Sequence, residues 1–336
     1  MALQIGHIRL ESPVILAPMS GVSDLPFRRA VRRLGVGLVV SEMIASKAVI
    51  REARKTLRMV QSAPEEQPMA VQLAGCEPEV MAEAARICVA RGAQIVDINM
   101  GCPVKKVVNG DAGSALMRDE NLAGRIIDAV VKAVPVPVTL KMRTGWDDRN
   151  RNAPRLAKIA EDCGIQAVTV HGRTRCQFYS GRADRAFIRV VKDAVRVPVI
   201  GNGDVDSPED ARALLEVSGA DGVMVGRGSY GRPWLPNRIQ RFLATGERLP
   251  EPPPASQLAI LLEHFEDILR HYGREPGVRL ARKHIAWYSR GLPKSAEFRA
   301  EINRIPDADA VRDRIVSFYA PHVAGQLAGQ LERAAA

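Results

Sequence analysis

The sequence predicts an α/β fold, a (β/α)8 TIM barrel followed by a smaller C-terminal α-helical domain, and three observations lead there. Short runs rich in Val, Ile and Leu recur eight times, separated by longer stretches of helical spacing. A proline-dense segment, "TGERLPEPPPASQ" at 245–257, then breaks the alternation. Beyond it only helical spacing remains. Eight regular units suit a closed barrel better than a doubly wound open sheet, the architectural alternative.

In order, the predicted strands are "VILAPM" (14–19), "VGLVVSEM" (36–43), "MAVQLAG" (69–75) and "IVDINMG" (95–101). They continue with "VPVTLKMR" (136–143), "AVTVHGRT" (167–174), "VPVIGNGDV" (197–205) and "GVMVGRG" (222–228). Between them, "EPEVMAEAARICVARGA" and "SPEDARALLEVSGA" open on acidic residues and close on glycine, the signature of helix start and stop. After the prolines, "SQLAILLEHFEDILRHYG", "RLARKHIAWYSRGL" and the chain from about 308 carry amphipathic spacing. The predicted organisation is a barrel domain at 1–244, a linker at 245–254, a helical domain at 255–330 and a tail at 331–336.

Composition sets the class. The 336 residues are 46% hydrophobic and 26% charged, as expected of a globular domain with a large core. No apolar run is long enough for a membrane span, and the N-terminus lacks a basic region followed by an apolar stretch. The five cysteines form no CxxC pair, so neither a disulfide framework nor a zinc site is expected, and a reducing cytoplasm fits. A net charge of +10 suits a polyanionic partner or mere solubility, and charge alone does not separate the two.

A barrel of this type places its site at the C-terminal ends of its strands. Polar residues stand there throughout: Met19 and Ser20, Glu42, Gln72, Asn99 and Cys102, Lys141 and Arg143, His171 and Arg173, Asn202 and Asp204, and Arg227. "GNGDV" and "GRGSYGRP", after the last two strands, offer unobstructed backbone N–H groups where such barrels bind phosphate. Cys88 and Cys163 lie in helical stretches and Cys76 opens one, which reads as small buried hydrophobes; Cys176 falls in a polar loop. Cys102 is either another such hydrophobe or the reacting group.

The set "LAPMSGVSDLPFR", "SEM", "VQLAG", "DINMGCPVKKV", "TLKMRTGW", "VHGRTR", "IGNGDV", "VGRGSYGRPW" and "ARKHIAWY" resembles the tRNA-dihydrouridine synthases, most closely the bacterial B-type group. The likeness runs from about residue 3 to 320. It implies an FMN-bearing barrel that uses NADPH to reduce a D-loop uridine of tRNA, by analogy position 17, with a helical tRNA-binding domain. It places Pro18, Met19, Ser20, Gln72, Lys141 and His171 at the flavin ring, and Asn202, Gly203, Asp204, Gly226 and Arg227 at its phosphate and ribityl chain. Asn99, Lys141 and Arg143 then hold the uracil and Cys102 is the proton donor. The working expectation is a monomer acting on tRNA, without metal or membrane.

The chemistry explains the residue types. Reduction of the 5,6-double bond needs a hydride at C6 and a proton at C5, and a thiol, with a pKa of about 8.5, is a better donor than a serine hydroxyl. Lys105 and Lys106, close in sequence, are expected to lower that pKa. Lys141 is either a cation stabilising developing charge or a strand-end lysine reaching solvent, and His171 either faces the flavin or is structural.

Residues 279–304 hold seven basic groups against two acidic ones, with His284, Trp287 and Tyr288 interleaved. Spacing alone leaves an RNA face and a solvated helix equally open; the resemblance favours Arg279, Arg282, Lys283 and His284 as RNA contacts. "RRAVRR" (28–33) and "REARKTLR" (51–58) are further basic runs, the first also readable as a charged outer helix. Two other functions stay in view: a flavin barrel acting on a small molecule, of the dihydroorotate dehydrogenase or ene-reductase type, and an RNA-binding protein without catalysis. The linker, helical domain and charge favour tRNA reduction.

Overall fold

A computed structural model describes residues 2–51 and 58–335; most of the basic run at 51–58 lies outside the described residues. The chain forms two compact units, residues 1–228 with 235–247, and 229–234 with 248–336.

The first unit opens with an antiparallel hairpin, β1 (Leu3–Ile5) and β2 (Ile8–Leu10), which strands of three residues are too short to announce by periodicity. Then come β3 (Val14–Leu16), β4 (Leu38–Val40), β5 (Ile44–Ala45), β6 (Met69–Ala74), β7 (Ile95–Met100), β8 (Val138–Arg143), β9 (Ala167–His171), β10 (Val199–Asn202) and β11 (Gly222–Val225). Every predicted strand is present, each shorter than predicted. All neighbours pair in parallel; β3 joins β11, and β4 pairs with β6, closing an eight-stranded barrel in which β5 is a continuation past β4.

Register sorts the interior into levels. Ile15, Leu38, Ala70, Ile95, Ala167, Ile200 and Met224 form one apolar cluster with Leu3, Ile5 and Leu10, so the hairpin plugs the N-terminal end. Side chains alternate across a strand, which brings the next inward positions, two residues on, to the level above. There Gln72 pairs opposite Asp97 and Asp97 opposite Thr139; higher still Asn99 stands opposite Lys141, and Arg143 and Asn202 flank His171. A polar layer inside a barrel is costly unless every group is hydrogen-bonded, so its presence marks function.

The outer helices follow their predicted signals. Ser207 caps Pro208–Ser218 by accepting from the Asp210 N–H, and Gly219, at φ 61°, ends it. "RRAVRR" lies in the helix Leu25–Arg33, where buried Arg28 pairs with buried Glu66 at 2.7 Å and Arg29 with Glu65. That run is thus tied into the barrel wall, as an outer helix. Cys88 is buried as expected, whereas Cys76 and Cys163 are half-buried and Cys176 is exposed.

The second unit packs helices Pro254–Tyr272, Arg274–Tyr288, Ser295–Ile302 and Ala308–Ala335 around Leu261, Phe265, Ile285, Phe298 and Tyr319. The segment 229–234 belongs to it: Tyr230 stacks on Trp287 at 4.3 Å, and Trp234 packs by Tyr288. None of the helices described is long and apolar enough to cross a membrane.

Candidate active site

The polar level of the barrel is organised by hydrogen bonds whose directions are forced. Asn99 Oδ1 accepts the backbone N–H groups of Gly101 and Cys102 at 3.1 and 3.0 Å. Its Nδ2 must therefore face the other way, and it donates to Gln72 Oε1 at 2.7 Å. Gln72 Nε2 in turn donates to Asp97 Oδ2 at 2.6 Å, while Thr139 Oγ1 donates to Asp97 Oδ1 at 2.6 Å. Asp97 is 4% exposed, and burial raises its carboxyl to about 6 despite those two donors.

Lys141 sits one step along, half-buried, with Nζ donating to Asn202 Oδ1 at 3.1 Å. Asn202 Nδ2 donates to the Met224 carbonyl at 2.8 Å, so its amide orients the lysine. Desolvation first, and Arg143 second, lower the Lys141 ammonium to about 8. It remains largely a cation at neutral pH, which answers the solvent-reaching alternative.

Arg143 is 2% exposed and mainly a staple. Nε donates to the Gly101 carbonyl, and Nη1 to those of Thr174 and Phe178, linking the turn after β7 to the loop after β9. Only Nη2 is left for a ligand.

His171 is buried, and Arg173 Nη1 lies 3.3 Å from its Nε2. A guanidinium only donates, so Nε2 accepts and the ring proton resides on Nδ1. Burial, then the cations Lys141, Arg143, Arg173 and Arg227, hold its pKa well below the usual range, so the ring is neutral. Arg173 also binds Asp204 Oδ2 at 2.7 Å, and Arg227 reaches Asp204 Oδ1 at 3.3 Å.

The Asp204 carboxylate further accepts the Ala183 N–H. The carboxylate thus holds two arginines in place. The backbone N–H groups of Gly203 and Asp204 make no hydrogen bond among the described residues. Gly203 has φ 122°, and a Cβ there would lie 2.7 Å from Ala183 Cβ and 3.0 Å from His171 Cδ2. A Cβ on Gly226 would meet only Ala17 and Met19, at 3.7 and 3.8 Å. Pro18 and Met19 are half-buried and Ser20 exposed, with the Met19 N–H held by Ser23 Oγ at 2.8 Å.

Cys102 is half-buried. Its carbonyl accepts Ser114 Oγ and the Ser114 N–H at 2.8 and 3.1 Å, pinning the loop's two ends together. Gly113, at φ 62°, permits that approach, since a Cβ would lie 2.8 Å from the same carbonyl. Burial pushes the thiol up, opposed by the Val104 N–H, Arg143 and Lys141. The cations acting on it are thus the strand residues, and the expected effect of Lys105 and Lys106, both exposed, is absent.

Several residues escaped the sequence reading. Asp97 and Thr139 stand two positions before Asn99 and Lys141, on the same strand face, and period-two counting would have found them. Around the strand ends, Arg118 and Arg175 lie 4.1 and 4.5 Å from the Trp146 ring, and Arg227 4.4 Å from that of Tyr179. Phe178 and Tyr179 are 38% and 52% exposed; nothing in the sequence reports contacts made between loops.

In the helical unit, Arg279, on the exposed side of Arg274–Tyr288, pairs with Glu275. Arg282 and Lys283 are half-buried, and Arg282 Nη2 donates to the Ile305 carbonyl. His284 corrects the prediction: at 2% exposure, edge-on to His264 and Trp287, it is a core residue.

The sequence model of the family described as "Dihydrouridine synthase (Dus)" matches residues 15–319. A "Probable tRNA-dihydrouridine synthase" of Rickettsia bellii is 60% identical over 318 residues, 94% of this chain and 98% of the relative. The "tRNA-dihydrouridine synthase B" of Xanthomonas axonopodis pv. citri is 54% identical over 92% of this chain and 93% of its own, and that of Pseudomonas aeruginosa 52% over 95% and 96%. Among solved structures, histamine dehydrogenase from Rhizobium sp. 4-9 superposes with a TM-score of 0.57 at 11% identity, over 96% of this chain and 64% of that one, a likeness of fold alone. With a family match over nearly the whole chain and relatives of such identity, the chain belongs to the dihydrouridine synthase family.

Proposed function

We propose that this protein is an FMN-dependent tRNA-dihydrouridine synthase that uses NADPH to reduce a D-loop uridine, at position 17. The observation that carries the reading is the half-buried cation Lys141 set beside a half-buried thiol, Cys102, above a closed polar layer. The names of the relatives supply the substrate class.

The residues present suit a flavin. Gly203 and Asp204 N–H groups with the Arg227 guanidinium form a phosphate cradle of the kind found after the last barrel strands. Open backbone at Gly226 beside Ala17 and Met19, the neutral His171 ring and Lys141 would line the remainder. Bound there, FMN would supply the hydride received by uracil C6.

This chain's residues do the rest. The Cys102 thiol gives its proton to C5, and the resulting thiolate, between Arg143 and Lys141, is reprotonated from solvent. The free Nη2 of Arg143 and the second Nδ2 proton of Asn99 are the donors left for a uracil carbonyl. Arg279, Arg282 and Lys283 are the tRNA contacts of the helical unit; in the barrel unit, Arg118, Arg175 and Phe178 at the strand ends offer cationic and aromatic groups to RNA.

The test offers the NADPH-reduced protein, without oxygen, unmodified tRNA or free uracil, uridine and orotate. Flavin reoxidation is expected to be faster with tRNA; faster oxidation by a small molecule overturns the reading. Mapping dihydrouridine in tRNA from cells lacking the gene checks position 17.

A further inference from the structure

The direction of the amide relay is fixed from both ends. Going downward from the turn, each amide has one orientation: the N–H groups of Gly101 and Cys102 take Asn99 Oδ1, Asn99 Nδ2 takes Gln72 Oε1, and Gln72 Nε2 needs an acceptor. That acceptor is Asp97, which has both oxygens occupied by donors. Asp97, Gln72, Asn99 and Thr139 are each at most 8% exposed, so water does not substitute for a lost partner.

We infer that Asp97 is a positioning residue for the proton donor: its carboxylate fixes the Gln72 and Asn99 amides and thereby holds the turn that carries Cys102. The inference rests on Cys102 as the acid, but its geometric content does not need tRNA. Without an acceptor at 97, only the Asn99 contact is left to hold the Gln72 amide, and its Nε2 is a buried donor with no partner. If its amide turns over, Nε2 faces Asn99 Nδ2, donor against donor, and the Asn99 hold on residues 101 and 102 is released.

An asparagine at 97 behaves differently from an alanine. Its Oδ1 accepts from Gln72 Nε2, and its Nδ2 donates to Thr139 Oγ1, whose hydroxyl rotates to accept. The relay keeps its direction, so Asp97→Asn is the rescue and Asp97→Ala the break.

Two readouts test this on the full-length holoenzyme. First, peptide-resolved alkylation of Cys102 by iodoacetamide: Asp97→Ala should change its rate by ~10-fold or more through the freed turn, while Asp97→Asn stays near wild type. Second, single-turnover reduction of tRNA by pre-reduced enzyme: Asp97→Ala should lose ~100-fold, as expected for a reacting group misplaced by about 1 Å, while Asp97→Asn stays near wild type. Unchanged alkylation in Asp97→Ala overturns the proposal, as does equal damage in Asp97→Asn. Should wild type fail to reduce tRNA at all, the proposed function falls, and the alkylation result still decides the role of Asp97. If Asp97→Ala does not fold, Gln72→Leu, which removes the relay's middle while leaving Asp97 its Thr139 donor, must reproduce the alkylation change or the proposal fails.

Discussion

Replacing Cys102 separates chemistry from packing. Burial raises its thiol pKa above the ordinary value. Even at that ordinary value of about 8.5, ~97% of the group is protonated at pH 7, so the proton-donating form dominates. Cys102→Ala deletes the acid and is expected to slow single-turnover tRNA reduction by ~10²–10⁴, the usual worth of a positioned general acid. Flavin content and NADPH-driven flavin reduction should be retained. The assay is anaerobic stopped-flow of reduced protein mixed with unmodified tRNA, with dihydrouridine quantified at the end.

Direct titration gives a second arm. Thiolate is the alkylated form, so the Cys102 alkylation rate rises with pH and its midpoint should lie above about 8.5. Lys105→Met with Lys106→Met should leave that midpoint in place, because neither lysine acts on the thiol. A Cys102→Ala rate within about threefold of wild type refutes the acid assignment. A midpoint below the ordinary thiol value refutes the burial argument.

Gly203→Ala forces a φ of 122° and a Cβ 2.7 Å from Ala183 on a residue that tolerates neither, costing ~1–3 kcal/mol. Flavin absorbance per protein should fall at least ~10-fold, and full flavin content would remove residue 203 from the cradle. Neutralising Arg282 and Lys283 together to Gln should weaken tRNA binding and flatten its log–log salt dependence by about 1–2, leaving NADPH oxidation by oxygen intact; equal affinity would clear that helix of RNA contact. In the helical unit, burial lowers His264 to about 3 and His284 well below the usual range. The unfolded chain therefore binds more protons below about pH 6.5, and stability present above that pH is lost on acidification at ~1.4 kcal/mol per pH unit per histidine. Urea midpoints followed by fluorescence of Trp234 and Trp287, which sit in that unit, should drop between pH 7 and pH 5; equal midpoints would contradict the buried neutral pair.

The barrel was legible because strand and helix periods alternate eight times, and the site because polar residues interrupt apolar runs at strand ends. What a period cannot report is partnership. His284 lies among basic residues in sequence, yet the helical turn puts it on the inward side with Val278, Ala281 and Ile285. Asn202 and Asp204 carry the right atoms for ligand contact, but neighbours on β8 and β11 and in the loop after β9 claim them first. The segment 229–234 reads as the last barrel loop, and contacts such as the Tyr230–Trp287 stack and the Trp234–Tyr288 packing show which unit it joins.

The same accounting says what the site is built to hold. Along β6 to β10, acceptors are the groups already engaged: Asn99 Oδ1 by two N–H groups, Asp97 by Gln72 and Thr139, Asn202 Oδ1 by Lys141, and Asp204 by Arg173 and Arg227. The capacity left over is donating. It comprises two Lys141 protons, Arg143 Nη2, the His171 Nδ1–H, the second Asn99 amide proton, the Cys102 thiol and the Gly203 and Asp204 N–H groups. A surface of donors with few acceptors selects ligands rich in carbonyl and phosphate oxygen, and it disfavours protonated amines. The ligands of the proposed function match that preference: uracil carries two carbonyls, and FMN two more and a phosphate. Which ligand such a barrel holds is thus decided by the groups at its strand ends, which is a physical reason that shared architecture does not carry shared chemistry.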